Sequence, residues 1–175
     1  LLVSSAASDV YKRQSFSILD GDDQNRIIKR VIKKMNLDEA TWQARQTQWF
    51  INKQKDEGRR VAKLPNKATY VEEKMADIYL EYQKTCEEEG VVDFAEILLR
   101  SYEMLNKNPE LLLHYQKRFQ HILVDEFQDT NEIQYLLLKQ LVGKDGHITV
   151  VGDDDQSIYS WRGAKSTNIN RFLTV

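Results

Sequence analysis

The sequence has a single cysteine, two prolines and no long apolar run, and these scarcities exclude several classes of protein. One thiol, Cys86, cannot form an internal disulfide, which fits a reducing cytosol better than an oxidising compartment. No apolar stretch approaches the roughly 20 residues that span a bilayer. We therefore expect a soluble, cytoplasmic protein with no membrane partner. A net charge of −2 gives no overall electrostatic reason to expect nucleic acid, so any such partner must be argued from local motifs.

The 175 residues are enough for one ordinary domain or for parts of two. Residues 1–14, LLVSSAASDVYKRQ, show no clear hydrophobic period and lack the basic-then-apolar order of a signal peptide. The string DVYKRQ resembles a translated sequencing-library adapter. We therefore expect residues 1–14 to be a non-native or disordered leader, with the native upstream sequence missing.

From Phe16 to about Phe119 the pattern is helical. The stretch DDQNRIIKRVIKKMN starts with two acids, as helix N-termini favour, and it has an apolar face and a basic face. A solvated surface is the commoner explanation for such a basic face, and contact with DNA phosphates is the alternative. The apolar residues are Ile27, Ile28, Val31, Ile32 and Met35, and the basic ones are Arg26, Lys29, Arg30, Lys33 and Lys34.

Glycine, proline and capping signals divide the rest of this part into further helices. One is predicted from Thr41 to about Glu57, before Gly58, and one from about Tyr70 to Glu89, before Gly90. Another starts at a capping box formed by Asp93 and Glu96, and a short helix begins at Pro109.

The hydrophobic period changes at His121. The runs HILV (121–124) and HITVV (147–151) are short, apolar and rich in β-branched residues, and a helical pattern that ends at Gly143 lies between them. Strand, helix and strand within about 30 residues predict a βαβ unit with parallel strands and a right-handed crossover. Near-continuous apolar strands also predict a sheet that is covered on both faces. Ligands of open α/β sheets bind beyond the carboxyl ends of the strands, and both acidic clusters of this chain follow such ends.

Two acids, Asp125 and Glu126, directly follow the first of these strands. One carboxylate can hold a hydrated Mg²⁺, which prefers one or two carboxylates plus phosphate oxygens and water. The other can orient or deprotonate an attacking water, a division of labour that suits phosphoryl transfer from a nucleotide. A structural role is less favourable, because adjacent acids after a buried strand are costly without a cation or hydrogen-bond partners. Asp129 and Glu132 have capping-box spacing, so for Asp129 a helix cap fits at least as well as chemistry.

The second strand runs into VGDDDQSIYSWRGA. Gly152 would let the backbone approach a ligand closely, and Gln156 offers a donor and an acceptor without charge, as a phosphate or water sensor needs. In an extended backbone Tyr159 and Trp161 face the same side, and beside Arg162 they could stack on unpaired bases. Two aromatic residues near a strand end are otherwise usually part of a core.

The motifs ILVDEFQDTNEIQ and VGDDDQSIYSWRGA together resemble the second and third helicase motifs of the UvrD/PcrA/Rep family. The stretches ILDGDDQNRIIKRVIKKMNLDEATW and QKDEG resemble the accessory subdomain inserted in the first ATPase domain of that family. The resemblance covers about residues 15–175 and implies an α/β fold, a partial RecA-like (P-loop NTPase) parallel sheet with a mainly helical inserted subdomain. Residues 15–108 would be the accessory subdomain and residues 109–175 part of the first RecA-like domain.

The resemblance also implies an ATP-dependent 3′ to 5′ DNA helicase that uses ATP and Mg²⁺, translocates on single-stranded DNA and unwinds duplex DNA in repair. Asp125 would help bind Mg²⁺, Glu126 would activate the attacking water, and Gln156 would link the γ-phosphate to the DNA site. Tyr159 and Trp161 would stack on single-stranded bases, with Arg162 in the same DNA-contacting segment. DNA-repair proteins are expected as further partners.

The sequence departs from the family pattern because no GxxxxGK[ST] stretch occurs in it. We therefore expect an internal fragment that neither hydrolyses ATP nor unwinds DNA alone. A helicase subunit of a recombination nuclease shares these motifs and is one alternative, and a catalytically inactive module that binds nucleic acid or a partner is another. A carboxylate metal enzyme would need further ligands in the helical half, where Asp93 and His114 are isolated.

Overall fold

The structure is a computed structural model, and it describes residues 16–61, 69–153, 155, 168 and 171. It is a mixed α/β structure, mostly helical, with small parallel sheets. In chain order the elements are β1 (Ser17–Leu19), α1 (Gly21–Lys34), α2 (Ala44–Asp56), α3 (Tyr70–Glu89), β2 (Val91–Asp93), α4 (Phe94–Lys107), α5 (Pro109–Arg118), β3 (His121–Val124), α6 (Glu132–Val142) and β4 (His147–Val150), with a 3₁₀ turn at Phe127–Asp129 between β3 and α6.

The described residues fall into two compact units. The first unit contains the residues up to Ile51 together with Val61–Glu96, and the second contains Asn52–Arg60 together with those from Ile97 onward. Helices α2 and α4 each contribute residues to both. None of the helices within the described ranges is both long and apolar enough to cross a membrane.

The first unit is built around the apolar faces of α1 and α3. Helix α1, which the sequence predicts in this stretch, begins at the N-cap Asp20, whose side chain accepts a hydrogen bond from the Asp23 amide, and it ends at Lys34. Helix α3 begins at Thr69 and Glu72, which form a reciprocal capping box, and ends at Gly90 with a left-handed φ of 66°. The core of this unit contains Ile27, Ile28, Val31, Ile32, Ile51, Ile78, Tyr79, Tyr82 and Cys86.

Two features of this unit differ from the sequence prediction. Strands β1 and β2 pair in parallel, Ser17 opposite Val91, inside a stretch that reads as helical throughout, because three residues are too few to show an alternating period. Helix α2 begins at Ala44 and not at Thr41. The Asp38 carboxylate accepts hydrogen bonds from the Thr41 hydroxyl at 2.6 Å and from the Thr41 amide at 2.9 Å, which holds residues 38–41 in a turn. These two hydrogen bonds lower the pKa of Asp38, and the bond from the Thr41 hydroxyl has the larger effect.

The second unit contains the strand, helix and strand that the sequence predicts. Strands β3 and β4 are parallel, with His121 opposite His147 and Val124 opposite Val150, and α6 connects them. Pro109 occupies the first turn of α5, which confirms that prediction too. The crossover places the carboxyl ends of both strands at one edge of the sheet, where Asp125 and Gly152 follow.

The expectation that this sheet is covered on both faces is wrong for the described residues. Exposed and half-buried residues alternate along both strands, and the two alternations are in register. One face carries the stacked rings of His121 and His147, with Leu123, which is 72% exposed. The other face carries half-buried Ile122, Val124, Ile148 and Val150. Because successive side chains of a strand point to opposite faces, only this second face is packed.

Candidate functional site

The carboxyl ends of β3 and β4 are joined by backbone hydrogen bonds that continue past the strands. The Val151 amide donates to the Val124 carbonyl at 2.8 Å, and the Phe127 amide donates to the Val151 carbonyl at 2.9 Å. These two bonds bracket Asp125 and Glu126, so the sheet fixes the backbone on either side of the two acids. The acids therefore project from a defined edge and not from a loose loop.

Asp125 and Glu126 are adjacent and exposed, but they are held differently. The Asp125 carboxylate accepts a hydrogen bond from the Glu126 amide through Oδ1 at 2.9 Å. The Glu126 carboxylate accepts one from Nε2 of the Gln128 side chain through Oε2 at 2.7 Å. An exposed carboxylate anchored beside its own backbone, such as Asp125, has the chemistry to bind a hydrated Mg²⁺ together with phosphate oxygens.

Glu126 has a left-handed backbone conformation that residues other than glycine rarely adopt, with φ 52° and ψ 41°. A left-handed conformation costs an ordinary residue roughly 1–2 kcal/mol. The two neighbouring carboxylates have different partners, the Glu126 backbone amide for Asp125 and the Gln128 side chain for Glu126. The sequence predicts that the two acids have different roles, and the geometry gives them different surroundings.

Gln128 is a residue whose importance the sequence analysis misses. It is 1% exposed, and its amide donates to Glu126 and accepts a hydrogen bond from the Asp153 backbone amide at 3.0 Å. A buried glutamine inside an acidic motif gives little signal of this role, because one of its partners lies 25 residues away on the other strand's loop.

Gly152 makes room for this glutamine. A Cβ atom at position 152 would lie 2.4 Å from Gln128 Oε1 and 3.2 Å from the Phe127 nitrogen. The sequence predicts a close backbone approach at Gly152 and assigns it to a ligand. In the structure the close neighbours are the Gln128 side chain and the backbone of the 3₁₀ turn.

Asp129 is not the N-cap of the helix that follows it. The cap is Asn131, whose side chain accepts from the Gln134 amide at 3.0 Å while the Gln134 side chain accepts from the Asn131 amide at 2.9 Å. The 3₁₀ turn at Phe127–Asp129 moves the helix start two residues beyond the expected position. Within the described residues, Asp129 Oδ1 is buried without a hydrogen-bond partner.

The predicted second cluster is described only in part. The Asp153 carboxylate accepts a hydrogen bond from the Asp155 amide at 3.0 Å. The remaining predicted site residues of this cluster lie outside the described residues; they are Gln156, Tyr159, Trp161 and Arg162.

Further along the chain, Asn168 is fully buried, and its side chain donates to the Thr130 carbonyl at 3.1 Å. Arg171 contacts the Glu132 carboxylate at 2.7 Å and lies over the ring of Tyr135, 4.5 Å from its centroid. The hydrogen bond to Glu132 raises the pKa of Arg171. Both residues therefore contact the segment from the 3₁₀ turn into α6.

Several acids and bases of the first unit have structural partners. The Asp93 carboxylate is 3% exposed and accepts hydrogen bonds from the Tyr82 hydroxyl and the Glu96 amide, both at 2.8 Å, so it caps α4. The basic face of α1 is partly neutralised, because Arg26 pairs with Asp23, Arg30 with Glu89 and Lys34 with Glu81. Across the residues that the structure describes, no group of three or more His, Cys, Asp or Glu side chains is arranged to hold a metal.

Comparison with known proteins gives one family. A family model described as the UvrD/REP helicase N-terminal domain matches residues 2–174. The chain is 53% identical over 160 residues to DNA helicase II of Escherichia coli strain K12, which covers 91% of this chain and 22% of that protein. It is 53% identical over 165 residues to DNA helicase II of Haemophilus influenzae, covering 94% of the chain and 23% of the relative.

A more distant relative is the ATP-dependent DNA helicase PcrA of Bacillus subtilis, which is 40% identical over 160 residues. That match covers 91% of this chain and 22% of PcrA. The chain therefore spans less than a quarter of the length of these relatives.

Proposed function

The chain belongs to the UvrD/REP helicase N-terminal domain family, and on that premise we propose that it is part of an ATP-dependent DNA helicase. The enzyme translocates 3′ to 5′ on single-stranded DNA, unwinds duplex DNA and acts in repair in the cytoplasm. The observation that carries the proposal is the pair of acids at the carboxyl end of β3, held in two different ways. A parallel sheet with its polar groups at that edge is the arrangement in which α/β proteins bind ligands.

In this proposal the two acids divide the work of ATP hydrolysis. Asp125 helps to hold the Mg²⁺ of the nucleotide, and bound Mg²⁺ neutralises charge on the phosphate oxygens. Glu126 accepts a proton from the water that attacks the γ-phosphate, for which its carboxylate must be ionised and aimed at the water. Their exposure at the strand edge supports both roles, because each carboxylate can be reached by a nucleotide.

The proposal extends to residues outside the described ranges. Gln156 contacts the γ-phosphate and links it to the DNA site, and Tyr159, Trp161 and Arg162 contact single-stranded DNA. Residues 15–108 form a helical accessory subdomain, and residues 109–175 form part of the first RecA-like domain. The 175-residue chain by itself does not hydrolyse ATP, because it has no GxxxxGK[ST] phosphate cradle.

The experiment that tests the chemistry is Glu126→Gln in a full-length helicase that carries this chain. Glutamine keeps the shape and still accepts the Gln128 hydrogen bond, but it cannot take a proton from water. We expect ATP affinity to stay within about threefold and DNA-stimulated hydrolysis to fall by about 10²–10⁴-fold, the range for loss of a general base. Glu110→Gln, in the first turn of α5, is the matched control and should hydrolyse ATP normally.

Normal turnover by Glu126→Gln would remove Glu126 from the mechanism. In the same protein Trp161→Ala should weaken single-strand binding and the stimulation of hydrolysis by DNA more than it weakens ATP binding. DNA binding by the unmodified full-length protein with no hydrolysis at all would favour an inactive binding module.

A further inference from the structure

We propose that Gln128 is a positioning residue for ATP hydrolysis, which holds the Glu126 carboxylate at a fixed orientation and distance from the loop after β4. The inference deepens the proposed function and rests on it, because it assumes that Glu126 activates water. It is carried by contacts within the second unit alone, between the end of β3, the 3₁₀ turn and the end of β4.

The side-chain amide of Gln128 can occupy only one of its two flipped orientations. Its Nε2 faces the Glu126 carboxylate, which only accepts, and its Oε1 faces the Asp153 backbone amide, which only donates. Reversing the amide would place acceptor against acceptor and donor against donor. The orientation of the Glu126 carboxylate is therefore set by a backbone group on the neighbouring strand's loop.

Burial makes this contact rigid. Gln128 is 1% exposed, whereas Glu126 is exposed, so the buried member is the amide that holds the carboxylate. An exposed glutamate on its own would sample several rotamers, and a general base must be aimed to within hydrogen-bond reach of its water. Among the described contacts, the bond from Gln128 is made to Oε2 of Glu126, which leaves Oε1 to receive the proton.

Gly152 is the second residue on which the Gln128–Glu126 contact depends. Its missing side chain leaves the space that Gln128 Oε1 fills, 2.4 Å from where a Cβ would stand. Adding a methyl group at position 152 must displace the amide or the turn behind it, since the Phe127 and Gln128 nitrogens lie 3.2 and 3.3 Å from the same point. Gly152→Ala should therefore disturb Glu126 without changing any group that contacts nucleotide or DNA.

The test uses a full-length helicase that carries this chain, with ATP and single-stranded DNA as the substrates. Gln128→Leu keeps the approximate volume and removes both hydrogen bonds. We expect kcat for DNA-stimulated hydrolysis to fall by about 10–100-fold, as a small misplacement of a catalytic group does, with KM for ATP changed by less than about threefold. Gly152→Ala should lower kcat in the same direction. Gln116→Leu, which removes a side-chain bond to the Gln140 carbonyl elsewhere in the second unit, is the matched control and should leave kcat unchanged.

Two readouts separate positioning from a merely structural role. Gln128→Glu can donate to the ionised Glu126 only when the introduced carboxyl group carries a proton, so its kcat relative to the unmodified enzyme should rise as the pH falls from about 8 to about 6. Adding Gln128→Leu to Glu126→Gln should lower kcat no further, because Gln128 acts through Glu126. A structural role predicts a parallel pH profile and an additional loss in the double variant.

The outcomes distinguish this inference from the function on which it rests. If Glu126→Gln is inactive while Gln128→Leu has normal kcat, the inference is overturned and the proposed role of Glu126 stands. If Glu126→Gln turns over normally, both are overturned. Should Gln128→Leu fail to fold, Gln128→Glu and Gly152→Ala decide the matter, and normal kcat in both at every pH would overturn the inference.

Discussion

Replacing Tyr82 by phenylalanine removes one hydroxyl from the core of the first unit and leaves the ring in place. The hydroxyl of Tyr82, a residue that is 0% exposed, donates to Asp93 Oδ2 at 2.8 Å, and Asp93 is itself 3% exposed. The same carboxylate caps α4 through the Glu96 amide. Tyr82→Phe therefore takes one donor away from a buried carboxylate at the point where α3, β2 and α4 meet.

The size of the effect follows from these contacts. A hydrogen bond to a charged group contributes roughly 1.5–3 kcal/mol, and phenylalanine leaves almost no cavity, so we expect a loss of about 2 kcal/mol at pH 7. The loss should depend on pH at the alkaline end. Burial, and then the charge of Asp93, raise the pKa of Tyr82. The folded state therefore loses this proton at a higher pH than the unfolded state, where tyrosine titrates at about pH 10. Tyr82 therefore stabilises the fold fully below that pH, and its contribution declines above it.

Urea unfolding of the 175-residue chain, followed by circular dichroism at about pH 7 and about pH 11, measures both effects. Tyr70→Phe is the matched control, because Tyr70 is 71% exposed and should change the unfolding free energy by less than about 0.5 kcal/mol. We expect the difference between the unmodified chain and Tyr82→Phe to shrink at the higher pH. Equal stability of the two at pH 7, or a difference that grows with pH, would refute the reasoning.

Two further predictions concern α3. Thr69→Ala removes the N-cap and should cost about 1 kcal/mol, seen as lower protection of the first-turn amides from hydrogen exchange. The Thr69 amide, and then its hydroxyl, lower the pKa of Glu72, so the capping box should also weaken as the pH falls below the ordinary range of a glutamate, and unchanged protection factors there would contradict this. Ile78→Ala, at a position that is 0% exposed, should lower the free energy of unfolding by about 2–5 kcal/mol, measured by heat or urea. Leu80 is 55% exposed on the same helix, so Leu80→Ala should cost less than about 1 kcal/mol. Equal losses would show that burial does not decide the outcome.

The elements that the sequence predicts well are those with a local signal. Helix α1 combines a helical apolar period with acidic residues at its start, Gly90 ends α3, Pro109 begins α5, and the β3–α6–β4 unit shows the change of period. Strands β1 and β2 have no such signal, because three residues carry no period and their pairing joins distant parts of the chain.

The candidate site shows the same division between local and distant information. The positions of Asp125 and Glu126 after β3 follow from the strand pattern, but the Gln128 bridge depends on an amide in another loop, at Asp153. The spacing of Asp129 to Glu132 matches a capping box and makes a cap at Asp129 at least as favourable as a chemical role, but the 3₁₀ turn moves the cap to Asn131. Spacing alone cannot show whether Asp129 or Asn131 caps the helix, because that depends on the turn that precedes it.

The pairing of β1 with β2 has a consequence for synthesis. The register places Ser17 opposite Val91, so the first strand must wait for a partner made roughly 75 residues later. At about 5–20 residues per second, that interval is several seconds. Helix α1 can form early in it, but it lacks its packing partner α3 until the chain reaches Glu89. Closing so long a loop is also entropically costly and slows folding. We therefore expect α1 to form before the β1–β2 pair does.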